Sequence, residues 1–208
     1  MNARDPQHLI RAPKAARALA SPIRQEIVDV LESAGPSTIA ELAAHLDRPA
    51  DGLYFHIRAL ERVGLLRKVG EKGAGRAKSA QFDVAARPMR LDYSGSPSAR
   101  VARVGPTLDG ILRLARRDVR RALNQGRARV DGETRELWVA RSRGRVAPED
   151  LARLNSLLEE CARIVREGRS DSPDAVPIAL AFALTPVRPS RRPRTKSQTT
   201  QNTAGADP

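Results

Sequence analysis

The stretch from Thr38 to Val69, TIAELAAHLDRPADGLYFHIRALERVGLLRKV, constrains the fold more than any other part of the chain. Its periodicity predicts two short amphipathic helices joined by a tight Asp47-Arg48-Pro49 connection and closed at Gly64. Proline suits the first turn of a helix, where its missing N–H has no intrahelical partner to lose. From there Leu53, Ile57, Leu60 and Gly64 fall on one stripe, while Asp51, Gly52, Tyr54, Phe55, Arg58 and Arg62 take the opposite face. Two aromatics therefore project from the side that is not core. Such a helix, propped on a shorter one, is the helix-turn-helix arrangement, whose second helix lies in the DNA major groove. Leu65–Glu71 and Ser79–Val84 then alternate like strands around the flexible basic loop Lys72-Gly73-Ala74-Gly75-Arg76. That pattern predicts a wing.

Upstream, residues 1–11 read as a frayed leader and Ala12–Ala20 as a short helix. Ser21 caps a second helix with Pro22 at its first position and Ile23, Ile27, Val30 and Leu31 as its buried stripe, stopped by Gly35-Pro36. Ser37 or Thr38 caps Ile39–Leu46. Taken together, Ala20-Ser21-Pro22-Ile23-Arg24-Gln25-Glu26-Ile27, Ile39-Ala40-Glu41-Leu42-Ala43, Leu53 to Glu61 and Gly64-Leu65-Leu66 resemble an ArsR-type winged helix-turn-helix in order and spacing. The resemblance covers roughly residues 12–85. It implies a bacterial DNA-binding repressor or activator, usually a homodimer. The paired cysteines of that family's metal-sensing members are missing, so metal sensing is not implied.

In this reading the DNA-contacting residues are Arg48, Asp51, Gly52, Tyr54, Phe55, His56 and Arg58 around the second helix, with Arg67, Lys68, Lys72, Arg76 and Lys78 in and beside the wing. Arg58 has the chemistry to pair with guanine or with phosphate. Tyr54 and Phe55 suit thymine methyl groups, or one of them packs against the hairpin. Asp51 either complements the positive end of the helix dipole or accepts a hydrogen bond from cytosine. The wing's basic residues suit phosphate or the minor groove, or they form a solvated turn. His56 is assigned to packing or to a phosphate.

A formal net charge of +13 and a pI near 11.2 point to a polyanionic partner, most simply double-stranded DNA. Arginine-rich coding and basic tails raise the same total. The single cysteine, Cys161, rules out an internal disulfide and suits a reducing compartment; it lies on an apolar stripe and reads as core. His8, His45 and His56 have no ligand spacing, and no nucleophile triad, P-loop or dinucleotide fingerprint is present. The expectations are no catalysis, no metal and no cofactor. The first residues hold no apolar signal core, and Ala175–Val187 is too short to span a bilayer. A cytoplasmic, nucleoid-associated protein without a membrane partner is expected.

Pro88–Pro106 reads as a linker because Ser94-Gly95-Ser96-Pro97-Ser98 favours turns. Beyond it Leu108, Ile111, Leu112, Ala115, Val119 and Ala122 repeat at helical spacing, with Arg113, Arg116, Arg117, Arg120 and Arg121 on the other side. Glu136–Ala140 has strand character, Pro148 starts a helix carrying Leu151, Leu154, Leu158, Cys161 and Val165, and Ile178–Leu184 reads as a buried strand or a short helix. Trp138 suits core, or the wall of a ligand pocket. These helices and strands predict a small C-terminal α/β unit for dimerisation or sensing, with room for an unidentified small-molecule effector. The two heptads in the second helix are too few for a coiled coil alone.

The expected class is α+β, mainly helical. A winged helix-turn-helix spans 12–87, a linker 88–106, a dimerisation or effector domain 107–187 and a disordered basic tail 188–208. The expected function is sequence-specific transcriptional regulation by a homodimer on a palindromic operator. The rival is a nucleoid-coating protein that binds DNA without sequence choice. RNA binding is disfavoured because the aromatics sit on a helix and not on a sheet.

Overall fold

The computed structural model describes residues 9–75, 78–168, 172 and 174–188. In chain order the elements are β1 (Leu9–Ile10), α1 (Pro13–Ala18), α2 (Pro22–Ala34), β2 (Ser37–Thr38), α3 (Ile39–Leu46) and α4 (Ala50–Arg62), followed by β3 (Leu66–Lys72), β4 (Ser79–Val84), β5 (Arg90–Leu91), α5 (Pro97–Gln125) and α6 (Pro148–Glu167). The fold is α+β and mainly helical, as the sequence predicts.

The local chemistry explains where the N-terminal helices begin and end. Pro22 opens α2, although the Ser21 side chain makes no capping bond. At α3 the capping is reciprocal: the Glu41 N–H donates to Thr38 Oγ1 at 3.2 Å, and the Thr38 N–H donates to the Glu41 carboxylate at 2.7 Å. Asp47 stops α3 in the left-handed region at φ 51°, which aspartate tolerates better than bulkier residues. The Arg48 N–H then returns to the Ala43 carbonyl at 3.0 Å, and the chain turns into α4. Gly64, at φ 73°, closes that helix, with the Leu65 N–H donating to Leu60 O at 3.0 Å.

The apolar stripes of α2, α3 and α4 meet in one core, where Ile27, Leu31, Leu42, Leu53, Ile57, Leu60 and Val84 are fully buried. The wing is antiparallel, in the order β2-β4-β3, with Leu66 opposite Val84, Lys72 opposite Ser79 and an irregularity between Lys68 and Gly70. Arg87 ties its base to α2, pairing with Asp83 and donating to Leu31 O at 2.7 Å. Leu9–Ile10 do not fray; they pair in parallel with Arg90–Leu91. The rest of the expected leader before Leu9 lies outside the described residues.

Two further expectations are corrected. Helix begins at Pro97, inside the segment read as linker, because Ser96 caps it (Ala99 N–H to Ser96 Oγ, 3.3 Å) and Pro97 fits its first turn. The face that α5 seats on α1 and α2 is Thr107, Gly110 and Leu114, while Leu108 and Leu112 of the predicted stripe stay exposed. Polar bonding and close approach decide that phase. Thr107 Oγ1 donates to Ala16 O at 2.9 Å, adding to the bond that carbonyl accepts from the Leu19 N–H, and Arg113 donates to Ala20 O at 2.7 Å just beyond the end of α1. A Cβ at Gly110 would stand 2.7 Å from Leu19 O, so only glycine admits this contact.

The C-terminal segments differ most from the sequence pattern. Glu136–Ala140 and Ile178–Leu184 form no strands, although Arg143 donates to Arg188 O at 2.5 Å and brings their neighbourhoods together. A strand needs a ladder of hydrogen bonds to a neighbour, and among the described residues neither segment has one; the Glu136 and Leu137 N–H groups both donate to the single carbonyl of Arg129. Trp138 is exposed with the Arg135 guanidinium 4.2 Å from its ring, α6 buries none of its residues, and Cys161 is exposed rather than core. The tail beyond Arg188 lies outside the described residues.

Candidate nucleic-acid interface

Helix α4 separates its two faces cleanly. Leu53, Ile57 and Leu60 are buried, whereas Tyr54 and Phe55 are 50% and 71% exposed and Asp51, Gly52 and Arg58 are exposed beside them. Neither aromatic is buried; the Phe55 ring meets the His56 ring edge-on, with centroids 5.4 Å apart. Asp51 sits in the first turn, where the helix dipole favours its charge. His56 is half-buried and its Nδ1 has no partner. Burial, then the charges of Arg24 and Arg48, lower its pKa, so the ring favours its neutral form. A charged His56–phosphate contact is therefore disfavoured.

The predicted basic residues are not all free. Arg48, in the corner before α4, pairs with Glu26 at 3.2 Å. Lys68 pairs with Glu71 at 2.9 Å and Lys72 with Glu41 at 2.5 Å, while Arg67 and Lys78 are exposed. Arg76 lies outside the described residues. The sequence reading overlooked Arg24, Glu26 and Arg117, which converge on the same corner from α2 and α5. The available signal is the four-residue spacing of Arg113 and Arg117, which puts both on one side of α5.

Glu41 is the hinge between capping box and wing. The bond from Lys72, followed by that from the Thr38 N–H, holds its pKa down from 4.5 to about 2. A depressed carboxylate stabilises the fold above its unfolded pKa and loses that contribution as pH falls through the folded value. The resulting stability is therefore complete above about pH 5 and is lost toward about pH 2, in a modest amount because the pair is half-exposed. Urea midpoints measured across this range should fall in the wild type. They should flatten in Glu41→Gln, and a wild-type slope in that variant would assign the effect elsewhere.

Among the described residues, no group of three or more His, Cys, Asp or Glu is placed to hold a metal, and no helix is long and apolar enough to cross a membrane. Residues 19–69, about a quarter of the chain, match the helix-turn-helix domain family. Comparison with curated proteins finds no match. The family match runs from Leu19, three residues before α2, through α3 and α4 into β3. The N-terminal region is thus similar to a helix-turn-helix domain.

Proposed function

We propose that the protein is a transcriptional regulator of the ArsR-like, non-metal-sensing kind, acting in the cytoplasm as a homodimer on a palindromic operator. The observation that carries the reading is the division of α4: its aliphatic stripe is buried while Tyr54, Phe55 and Arg58 are exposed together. An arginine and two aromatics on a free helical face fit guanine edges and thymine methyls in a major groove. Arg48, Arg67 and Lys78 suit phosphates, with Lys72 and Lys68 available if phosphate displaces their glutamates; Asp51 and Gly52 mark the end of α4 nearest the groove. Function is binding, without catalysis or cofactor.

The dimer is assigned to the C-terminal region, residues 107–187. Its apolar side chains are exposed in one chain, among them Leu108 and Leu112 on α5, Leu151, Leu157 and Ile164 on α6, and Ile178, Leu180, Phe182 and Leu184 beyond. A second copy would bury them and give the two unpaired segments strand partners. An effector, if one acts, would bias the same region.

Two recognition helices related by a two-fold axis read half-sites about 34–36 Å apart. Selection of bound duplexes from a random pool, followed by footprinting, is expected to return an inverted repeat with that spacing. Recovery of an unrelated mixture of sequences would contradict sequence-specific regulation.

A further inference from the structure

Glu26 divides its carboxylate between two parts of the molecule. One oxygen accepts from Arg48 Nη2 at 3.2 Å, in the corner before α4, and the other from Arg117 Nη2 at 2.7 Å, on α5. The glutamate side chain is only 16% exposed, so both bonds sit at the edge of the core. Arg117 is itself fixed: it also bonds Asp118 at 2.8 Å, and Thr107 and Arg113 lock the same helix onto carbonyls of Ala16 and Ala20. Where α5 sits therefore decides whether Arg117 reaches Glu26.

Arg48 and Arg117 face two carboxylates, Glu26 and Asp118, so the corner is balanced until Arg24 is counted and is then net positive. Arg24 comes from α2, and its Nε, like His56 Nδ1, is buried without a partner. If Arg117 withdrew, Glu26 would neutralise Arg48 one to one and hold its guanidinium more tightly. The corner would then attract phosphate less.

We propose that Arg117 is a positioning residue for DNA binding: by taking a share of the Glu26 carboxylate, it keeps Arg48 available to a DNA phosphate, so the seating of α5 sets affinity. This rests on the reading of Arg48 as a backbone contact. The device couples the C-terminal helix to the recognition helix through one carboxylate, without a change in the recognition face itself.

The test is a double-mutant cycle on the full chain, read as affinity and salt slope for a fluorescent random-sequence duplex of about 30 base pairs, roughly three helical turns. Arg117→Ala should weaken binding several-fold and lower the salt slope by up to about 0.9, the value of one phosphate contact. Arg48→Ala should do the same, and the double variant should bind no more weakly than Arg48→Ala alone. Glu26→Gln, which frees both arginines, should bind at least as tightly as the wild type. Should Arg117→Ala unfold, Arg117→Gln, which removes the charge and keeps most of the side chain, replaces it in the cycle and Glu26→Gln still gives the opposite sign. Additive losses, an Arg117→Ala without effect, or a weakened Glu26→Gln would each overturn the coupling. An Arg48→Ala that binds like the wild type overturns it as well while leaving DNA binding intact. A wild type that binds no duplex overturns the functional reading itself.

Discussion

Leu60→Ala is expected to lower the unfolding free energy of the helix-turn-helix domain by about 2–5 kcal/mol, the usual cost of removing a fully buried leucine. Leu60 has no exposed surface and lies where α4 meets the core built by Ile27, Leu31 and Leu42. Small domains are held by about 5–15 kcal/mol, so this one change would consume a large part of the margin. Arg58→Ala, two positions earlier and on the exposed face, should leave the urea midpoint within about 0.5 kcal/mol of wild type. It should instead cost about 1–3 kcal/mol of binding to the selected site if the side chain reads a base. The pair separates stability from recognition on a single helix. An Arg58→Ala variant that melts like Leu60→Ala would show that the helical phase is wrong.

Truncation is expected to have the second large effect, and its sign depends on where the chain is cut. A chain ending at Gly126 keeps α5 and loses α6, which has no fully buried residue and only a light contact with α2. It should fold with an unchanged melting temperature. A chain ending at Tyr93 also loses α5 and uncovers Ala15, Ala16, Ala18 and Leu19 of α1 and the residue after it. The lost Leu114 burial is worth about 1.5–3 kcal/mol and the Thr107 hydrogen bond about 0.5–1.5 kcal/mol, so this shorter chain should be markedly less stable. Sedimentation should show the Gly126 chain as a monomer, with binding to an inverted repeat weaker by roughly a hundredfold, because two linked half-site readers multiply affinity. A persistent dimer would place the interface on the exposed Leu108–Leu112 side of α5 instead.

The parts of this fold that were legible in the sequence are those where short-range chemistry and burial agree. Thr38 with Glu41, Pro22, and the Leu53-Ile57-Leu60 stripe each determine a helix locally, and each helix buries the stripe its spacing predicts. The exposed face of α4 was legible for the same reason. In α5 the two signals conflict. Of its apolar stripe Leu108 and Leu112 face outward while Ile111, Ala115, Val119 and Ala122 are half-buried, because Gly110 permits a backbone contact and Thr107 and Arg113 bond carbonyls of Ala16 and Ala20, a choice no periodicity count contains. The linker reading failed because Ser96-Pro97 is as good a helix entry as a turn. Partners across long sequence separation were invisible too: Glu26 lies 22 residues from Arg48 and 91 from Arg117. Around Trp138 and Phe182 the composition and length suggested strands, but a strand requires a paired neighbour, and neither segment has one among the described residues.

The most direct measurement of the central claim is the affinity ratio between the inverted repeat obtained by selection and a random duplex of equal length at one fixed salt concentration. Reading by the exposed face of α4 predicts a preference of roughly a thousandfold or more for the repeat. A ratio near one, with both affinities falling together as salt rises, would contradict it and leave a protein that coats DNA through its charge alone.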